Sequence, residues 1–177
     1  MTLDEFWEHI RATRRKDSEA HAELLTNRLV KRSREDIIDF AHWWNLMMAE
    51  AYHRNLWAAA YYVNGGCSND GFIDFRSWLI LQGRDVFHTV VSDPNTLADH
   101  VGNGEADGEF MCECDPACEA WDIAFEGGAG EAADAAFNSL YKARHPGPFP
   151  TRELGESWDF DDPEQRKLRL PRFAGDE

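Results

Sequence analysis

Helix-start signals recur along this chain and constrain it more than any other feature. Thr2 stands three residues before Glu5, Ser33 three before Asp36, and Asp93-Pro94 and Asp115-Pro116 each set a proline behind a capping side chain. A Ser, Thr or Asp side chain accepts a hydrogen bond from the free N–H groups of a first helical turn. A Glu three residues on reaches back, and proline at the first position gives up an N–H that has no helical partner anyway. Behind these signals apolar residues follow at helical spacing, as in Phe6 and Ile10, or Leu24, Leu25, Leu29 and Val30. Ile37, Phe40, Trp44, Met47, Met48 and Ala51 make the longest such stripe. No stretch alternates with the period of two that a half-buried strand requires, and there is no internal repeat. The expected fold is therefore all-α: a single compact domain of about six or seven helices over residues 1–145, with an irregular tail packed on it.

The stop signals set the expected boundaries. One continuous helix is expected from Ser33 to about Val63, ended by Asn64-Gly65-Gly66, since glycine accepts the left-handed conformation that closes helices. The next is expected from Phe72 to Gln82, interrupted by Gly83, and the last from Gly130 to Arg144. Gly102-x-Gly104 reads as a turn and Gly127-Gly128-Ala129-Gly130 as a connector. Beyond His145, Pro146, Pro148, Pro150, Pro163 and Pro171 forbid a continuous helix. Residues 146–177 are expected as an extended tail anchored by Trp158, Phe160, Leu168 and Leu170.

Seven Trp and eleven Phe among 177 residues give an aromatic core that does not depend on disulfides. No window approaches the roughly 18 apolar residues of a membrane span. The N-terminal segment has neither a signal-peptide core nor a transit-peptide composition, so a cytoplasmic location with four reduced cysteines is expected. The formal net charge is −15, and no Lys or Arg occurs from Asp85 through Tyr141. An acidic surface of this kind repels phosphate backbones and anionic lipid and attracts basic segments. Neither nucleic acid nor membrane is expected as a direct partner.

Chemistry concentrates between Leu56 and Phe87. Glu50, His53, Trp57 and Tyr61 recur at three- or four-residue spacing on the incoming helix, and Asp74, Trp78 and Gln82 do so on the outgoing one. The loop between them adds Asn64, Ser68, Asn69 and Asp70, and Arg76 follows close behind. If the two helices pack as a hairpin, these groups converge around Trp57 and Trp78. Buried polar groups must be paired, so the cluster is either a satisfied structural network or a ligand site.

Other chemistries find less support. An EF-hand alignment of the loop lacks the first carboxylate and the closing Glu. Cys112-x-Cys114-x-x-x-Cys118, with His100 or Asp115 as a fourth ligand, does not match common zinc spacings. No metal and no cofactor are therefore expected. The chain lacks a GxSxG elbow, a dinucleotide loop and a Walker loop, and Cys67 has no histidine in its own motif.

The stretch NGGCSNDGFIDFRSWLILQGRDVF, preceded by AYHRNLWAAAYYV, resembles the signature of a bacterial family of unknown function. The Phe6-Trp7 pair near the start and Gly155-Glu156-Ser157-Trp158-Asp159 near the end extend the resemblance over most of the chain. Cys112, Cys114 and Cys118 do not belong to the family pattern. The resemblance carries no activity, but an association of relatives with Trp-Gly-Arg-type domains implies a regulatory or recognition role. The leading expectation is a recognition module that binds a small polar ligand or a basic peptide or protein. Its site is the groove around loop 64–71 and helix 72–82, formed by His53, Trp57, Tyr61, Asn69, Asp70, Asp74, Arg76, Trp78 and Gln82. The alternative is a small cytoplasmic enzyme, such as a tailoring enzyme of specialised or peptide natural products. It would use His53 or Asp70 as acid/base and Arg76 to hold a carboxylate or phosphate.

Overall fold

A computed structural model describes residues 1–101, 110–125, 128–149 and 151–174 of the chain. Among them all regular structure is helical: α1 Leu3–Ala12, α2 Ser18–Leu29, α3 Arg34–Glu50, α4 Arg54–Val63 and α5 Asn69–Leu81. Then come α6 Arg84–Ser92, α7 Ala98–Val101, α8 Pro116–Ala124, α9 Glu131–Arg144 and α10 Pro163–Arg169. Short 3₁₀ turns cover Pro94–Leu97 and Pro171–Phe173. The all-α expectation holds, and the expected count of six or seven helices is too low. Gly102-x-Gly104, Gly127 and Pro150 lie outside the described residues.

The capping signals operate as chemistry requires. Thr2 and Glu5 form a reciprocal capping box, Glu5 N–H donating to Thr2 Oγ1 at 3.3 Å and Thr2 N–H to Glu5 Oε2 at 2.7 Å. Ser33 Oγ accepts from Asp36 N–H at 3.1 Å, and Asp115 Oδ1 from Cys118 N–H at 3.1 Å. Asp93 caps the 3₁₀ turn, with α7 directly behind it.

Three boundaries depart from expectation. The helix expected to run unbroken from Ser33 to Val63 ends at Glu50, and α4 begins afresh at Arg54. His53 is extended there (φ −149°, ψ 152°) and its Nδ1 accepts the Leu56 N–H at 3.4 Å, so it serves as an N-cap. With no Gly or Pro between Ala51 and His53, punctuation carries no sign of this break. The next helix starts at Asn69 rather than Phe72, because Ser68 Oγ accepts from Gly71 N–H at 3.0 Å. The proline-rich tail contains α10, whose Pro163 occupies the first helical turn behind the Asp162 cap, where proline does no harm.

The chain divides into two compact units, Met1–Met47 with Glu113–Pro150, and Met48–Cys112 with Thr151–Glu177. In the first, α2 packs on α8 and α8 on α9, burying Leu25, Leu29, Ala117, Ala120 and Trp121. Phe6 from α1 meets Phe40 with ring centroids 4.7 Å apart, and Ile10, Ile37 and Ile38 are fully buried. The polar centre of this unit is Asp39. Arg144 donates to its two oxygens at 2.9 and 2.7 Å, His145 Nε2 donates to Oδ1 at 2.9 Å, and the Met1 ammonium pairs with Oδ2. Burial opposes ionisation of Asp39, but these donors outweigh it and hold the carboxyl well below the usual carboxylate range.

In the second unit α5 is the central element, with Phe72, Phe75, Trp78, Leu79, Ile80 and Leu81 all buried. It packs on α4 and α6, and Gly83 at φ +93° makes the sharp turn between α5 and α6. The C-terminal segment belongs to this unit. The Trp158 indole N–H donates to Asn55 Oδ1 at 3.0 Å, Arg54 donates to the Trp158 carbonyl at 2.7 Å, and Leu170 is fully buried. Leu168, expected as an anchor, is 75% exposed.

Because Asp39 carries an ion-pair cluster in a largely closed position, Asp39→Asn is expected to destabilise the protein by about 2–4 kcal/mol, measured by denaturant unfolding. Arg144→Ala, at a partly exposed side chain, is expected to cost less. Equal stability of Asp39→Asn and the unaltered protein would remove the cluster from the support of this unit.

Candidate functional site

The residues singled out between His53 and Gln82 all fall in the second unit, where a run of aromatic rings organises them. Trp57 stacks on Phe72, with centroids 4.9 Å apart and planes 6° from parallel. Phe72 continues to Phe75 at 6.3 Å and Phe75 to Trp78 at 5.6 Å. Phe110 closes the far end on Trp78 at 5.2 Å.

Arg76 lies beside this run, its guanidinium 4.9 Å from the Phe72 ring and 5.1 Å from Tyr52. Its Nε donates to the Phe72 carbonyl at 3.1 Å and its Nη1 to the Met48 carbonyl at 2.7 Å. Met48 has an acceptor to offer because Tyr52 N–H turns to Ala49 at 3.1 Å, in the tightened last turn of α3. A cation on the last carbonyls of a helix is favoured by the helix dipole as well. Arg76 thus joins α5 to the end of α3.

The other singled-out residues divide between fold and surface. The Trp57 indole N–H donates to the Cys67 carbonyl at 2.9 Å, which holds the loop against α4. Tyr61 donates to Asp161 Oδ1 at 3.0 Å, and Gln82 folds back on the Trp78 carbonyl at 3.0 Å. The Asp74 carbonyl accepts from Cys112 N–H at 3.1 Å, and Asn64 Oδ1 from Phe110 N–H at 3.4 Å, so the 110–112 segment lies along α5. Asn69 and Asp70, in the first turn of α5, are exposed, and so is Ile73 one turn on. His53 does not continue the stripe with Glu50 and Trp57, because the chain is extended at that point.

Two groups with potential reactivity are held in unreactive forms. Burial, with Arg152 nearby, pushes the His53 pKa down to about 4, so the ring is neutral and accepts its capping hydrogen bond. Burial pushes the Cys67 thiol up to about 11, far from a thiolate nucleophile. Cys112 is buried and belongs to the second unit, whereas Cys114 and the exposed Cys118 belong to the first. Among the described residues no group of three or more His, Cys, Asp or Glu side chains is arranged to hold a metal ion.

Sequence reasoning passed over an open cleft of about 320 Å³ in the first unit. One wall is the last turn of α9, where Asn138, Tyr141, Lys142 and His145 share a face at three- and four-residue spacing. His42 from α3 and the Gly147-Pro148-Phe149 segment complete it. The His42 and His145 rings stack at 3.8 Å and 5°, and His42 Nδ1 meets the Tyr141 hydroxyl at 3.1 Å. Burial, then the neighbouring His145, lowers the His42 pKa. The available signal was polar: Asp39 and His42 interrupt an apolar helix at i, i+3, and Tyr141 and His145 recur at i, i+4.

Residues 1–125 of the chain match the profile of a family described as protein of unknown function, DUF4240. No curated protein and no solved structure matches.

The state of His53 has a pH consequence. An unfolded histidine titrates near 6.5, so as pH falls from there toward 4 the unfolded chain takes up a proton that the folded ring refuses. Stability from this group is full at neutral pH and declines through that window. His9, His21 and His42, whose pKa values burial also lowers, act in the same direction. His53→Asn keeps a capping side chain without the titration. Its melting temperature is expected to fall less than that of the unaltered protein between about pH 7 and about pH 4.5, as followed by circular dichroism. Parallel declines would separate His53 from the acid response.

Proposed function

Because the chain belongs to a family of unknown function, DUF4240, we propose a function from its own geometry: a recognition module that binds a basic peptide or protein segment through loop 64–71 and the first turns of α5. One contrast carries this reading. The groups beneath the loop that have chemistry to offer are committed to the fold, whereas the polar groups on its outer side are exposed. His53 is a neutral helix cap, Cys67 is a suppressed thiol, and Arg76 is spent on two backbone carbonyls. Asn69, Asp70 and Ile73 share one face of α5. Ile73, 46% exposed, supplies an apolar contact between carboxylates at positions 70 and 74. A catalyst needs a titratable group poised near the working pH, and this arrangement supports binding instead.

The charge of the chain favours a basic partner at this surface, and the rigid aromatic floor suits a site whose shape precedes binding. Asp70→Lys reverses an exposed charge in the first turn of α5 and is expected to cost only about 1 kcal/mol of stability, leaving the protein folded. For a labelled peptide with lysines flanking a leucine, fluorescence anisotropy is expected to show a loss of affinity of roughly fivefold to tenfold. Binding of the unaltered protein should also weaken with added salt. The same affinity in both proteins, or no binding by either, would sink this reading.

A further inference from the structure

The Asp39 cluster supports the first unit, but that role does not account for the cleft alongside it. We propose that this cleft is a second binding site, for a small planar aromatic anion: a ring bearing a carboxylate or a phosphate group. It is independent of the peptide-binding reading above and uses different residues.

The argument begins with charge. In a chain of net charge −15, none of the residues lining the cleft is acidic. Lys142, the first Lys or Arg after Arg84, lines it and makes no hydrogen bond or ion pair among the described residues. Its helical neighbours three and four positions away are Asn138, Ser139, His145 and Pro146, so no carboxylate on its own helix face lies in reach. In so acidic a protein a surface lysine without an acidic neighbour is a cation left available. Of the carboxylates on α3 near this wall, Asp39 is already met by Arg144, the Met1 ammonium and His145, Asp36 pairs with Arg32, and neither Glu35 nor Asp36 lines the cleft. The charge of Asp39 is therefore countered before it reaches the cleft.

Ring geometry supplies the second argument. Tyr141 packs against Phe149 at 6.0 Å, with planes 27° apart, and Phe149 is 57% exposed. A phenylalanine left this open beside a lysine offers a flat apolar surface next to a cation, the pair of contacts an aromatic anion uses. The stacked imidazoles of His42 and His145 add a second flat surface. His145 is held in place by its Nε2, which donates to Asp39 at 2.9 Å. The volume of about 320 Å³ is at the small end for ligand pockets, which suits one substituted ring rather than a dinucleotide.

The test is a titration of the full chain followed by two-dimensional NMR, with benzoate and phenyl phosphate as probes. Benzamide supplies the ring without the charge, and inorganic phosphate supplies the charge without the ring. With either aromatic anion, saturable shifts are expected at Tyr141, His145 and Phe149, at probe concentrations up to about 20 mM. Benzamide and inorganic phosphate are each expected to bind roughly tenfold more weakly. Lys142→Met and Phe149→Ala alter exposed side chains; both should keep the melting temperature and weaken the aromatic anions by roughly tenfold. The proposal is overturned if neither aromatic anion shifts cleft resonances. Benzamide binding as well as benzoate, inorganic phosphate as well as phenyl phosphate, or an unchanged affinity in Lys142→Met would each overturn it too.

Discussion

A guanidinium taken out of water must find acceptors, and in the second unit that requirement determines where a helix ends. In an unbroken helix the Met48 carbonyl would receive the N–H of Tyr52. Here Tyr52 N–H bonds to Ala49, the Met48 carbonyl is released, and Arg76 takes it at 2.7 Å. The same turn brings the Tyr52 ring to the guanidinium, beside Phe72, with the two ring centroids 6.1 Å apart. The chain then extends through His53, which caps α4, and α4 presents Trp57 to Phe72. Helix end, cation, ring run and cap are one arrangement. Lysine in place of Arg76 would lack both the fork of donors and the planar face that it uses.

The first unit meets the same constraint with the opposite sign. Asp39 is a buried anion on an apolar helix, and donors from α9 and its C-cap satisfy it along with the chain's own ammonium. The pairing sets the register of α9 against α3, since Arg144 and His145 reach the carboxylate only from the end of that helix. With the register set, Tyr141 and Lys142 fall on the cleft side, four and three residues before His145. The structural pair and the open cleft are consequences of one placement.

The two candidate surfaces therefore differ in kind. Around residues 64–71 the interior groups are consumed by hydrogen bonds, and the remaining chemistry lies in exposed side chains of the first turns of α5. Such a surface suits the recognition role proposed above. At the cleft of the first unit the consumed group is the carboxylate, while a lysine and a phenylalanine remain open.

Much of the fold was legible in residue order, because capping and periodicity are local physics. Thr2 with Glu5, Ser33 with Asp36 and Asp115 with Pro116 act over three or four residues, and each starts a helix as its chemistry dictates. The break at His53 was not legible, since histidine is an uncommon cap and its stimulus, Arg76, lies more than twenty residues further along. Arg76 stood out among the polar residues after the loop, but whether it faced a ligand or a carbonyl depended on where Met48 came to rest. Lys142 stood in plain view at the end of an acidic stretch, yet its openness follows from the packing of α9 on Asp39, more than a hundred residues away. By itself the sequence determined that the chain is helical, where several of its helices start, and that its net charge is strongly negative. Only the tertiary structure decided which charges are consumed and which stay open, because pairing depends on distances that long-range packing sets.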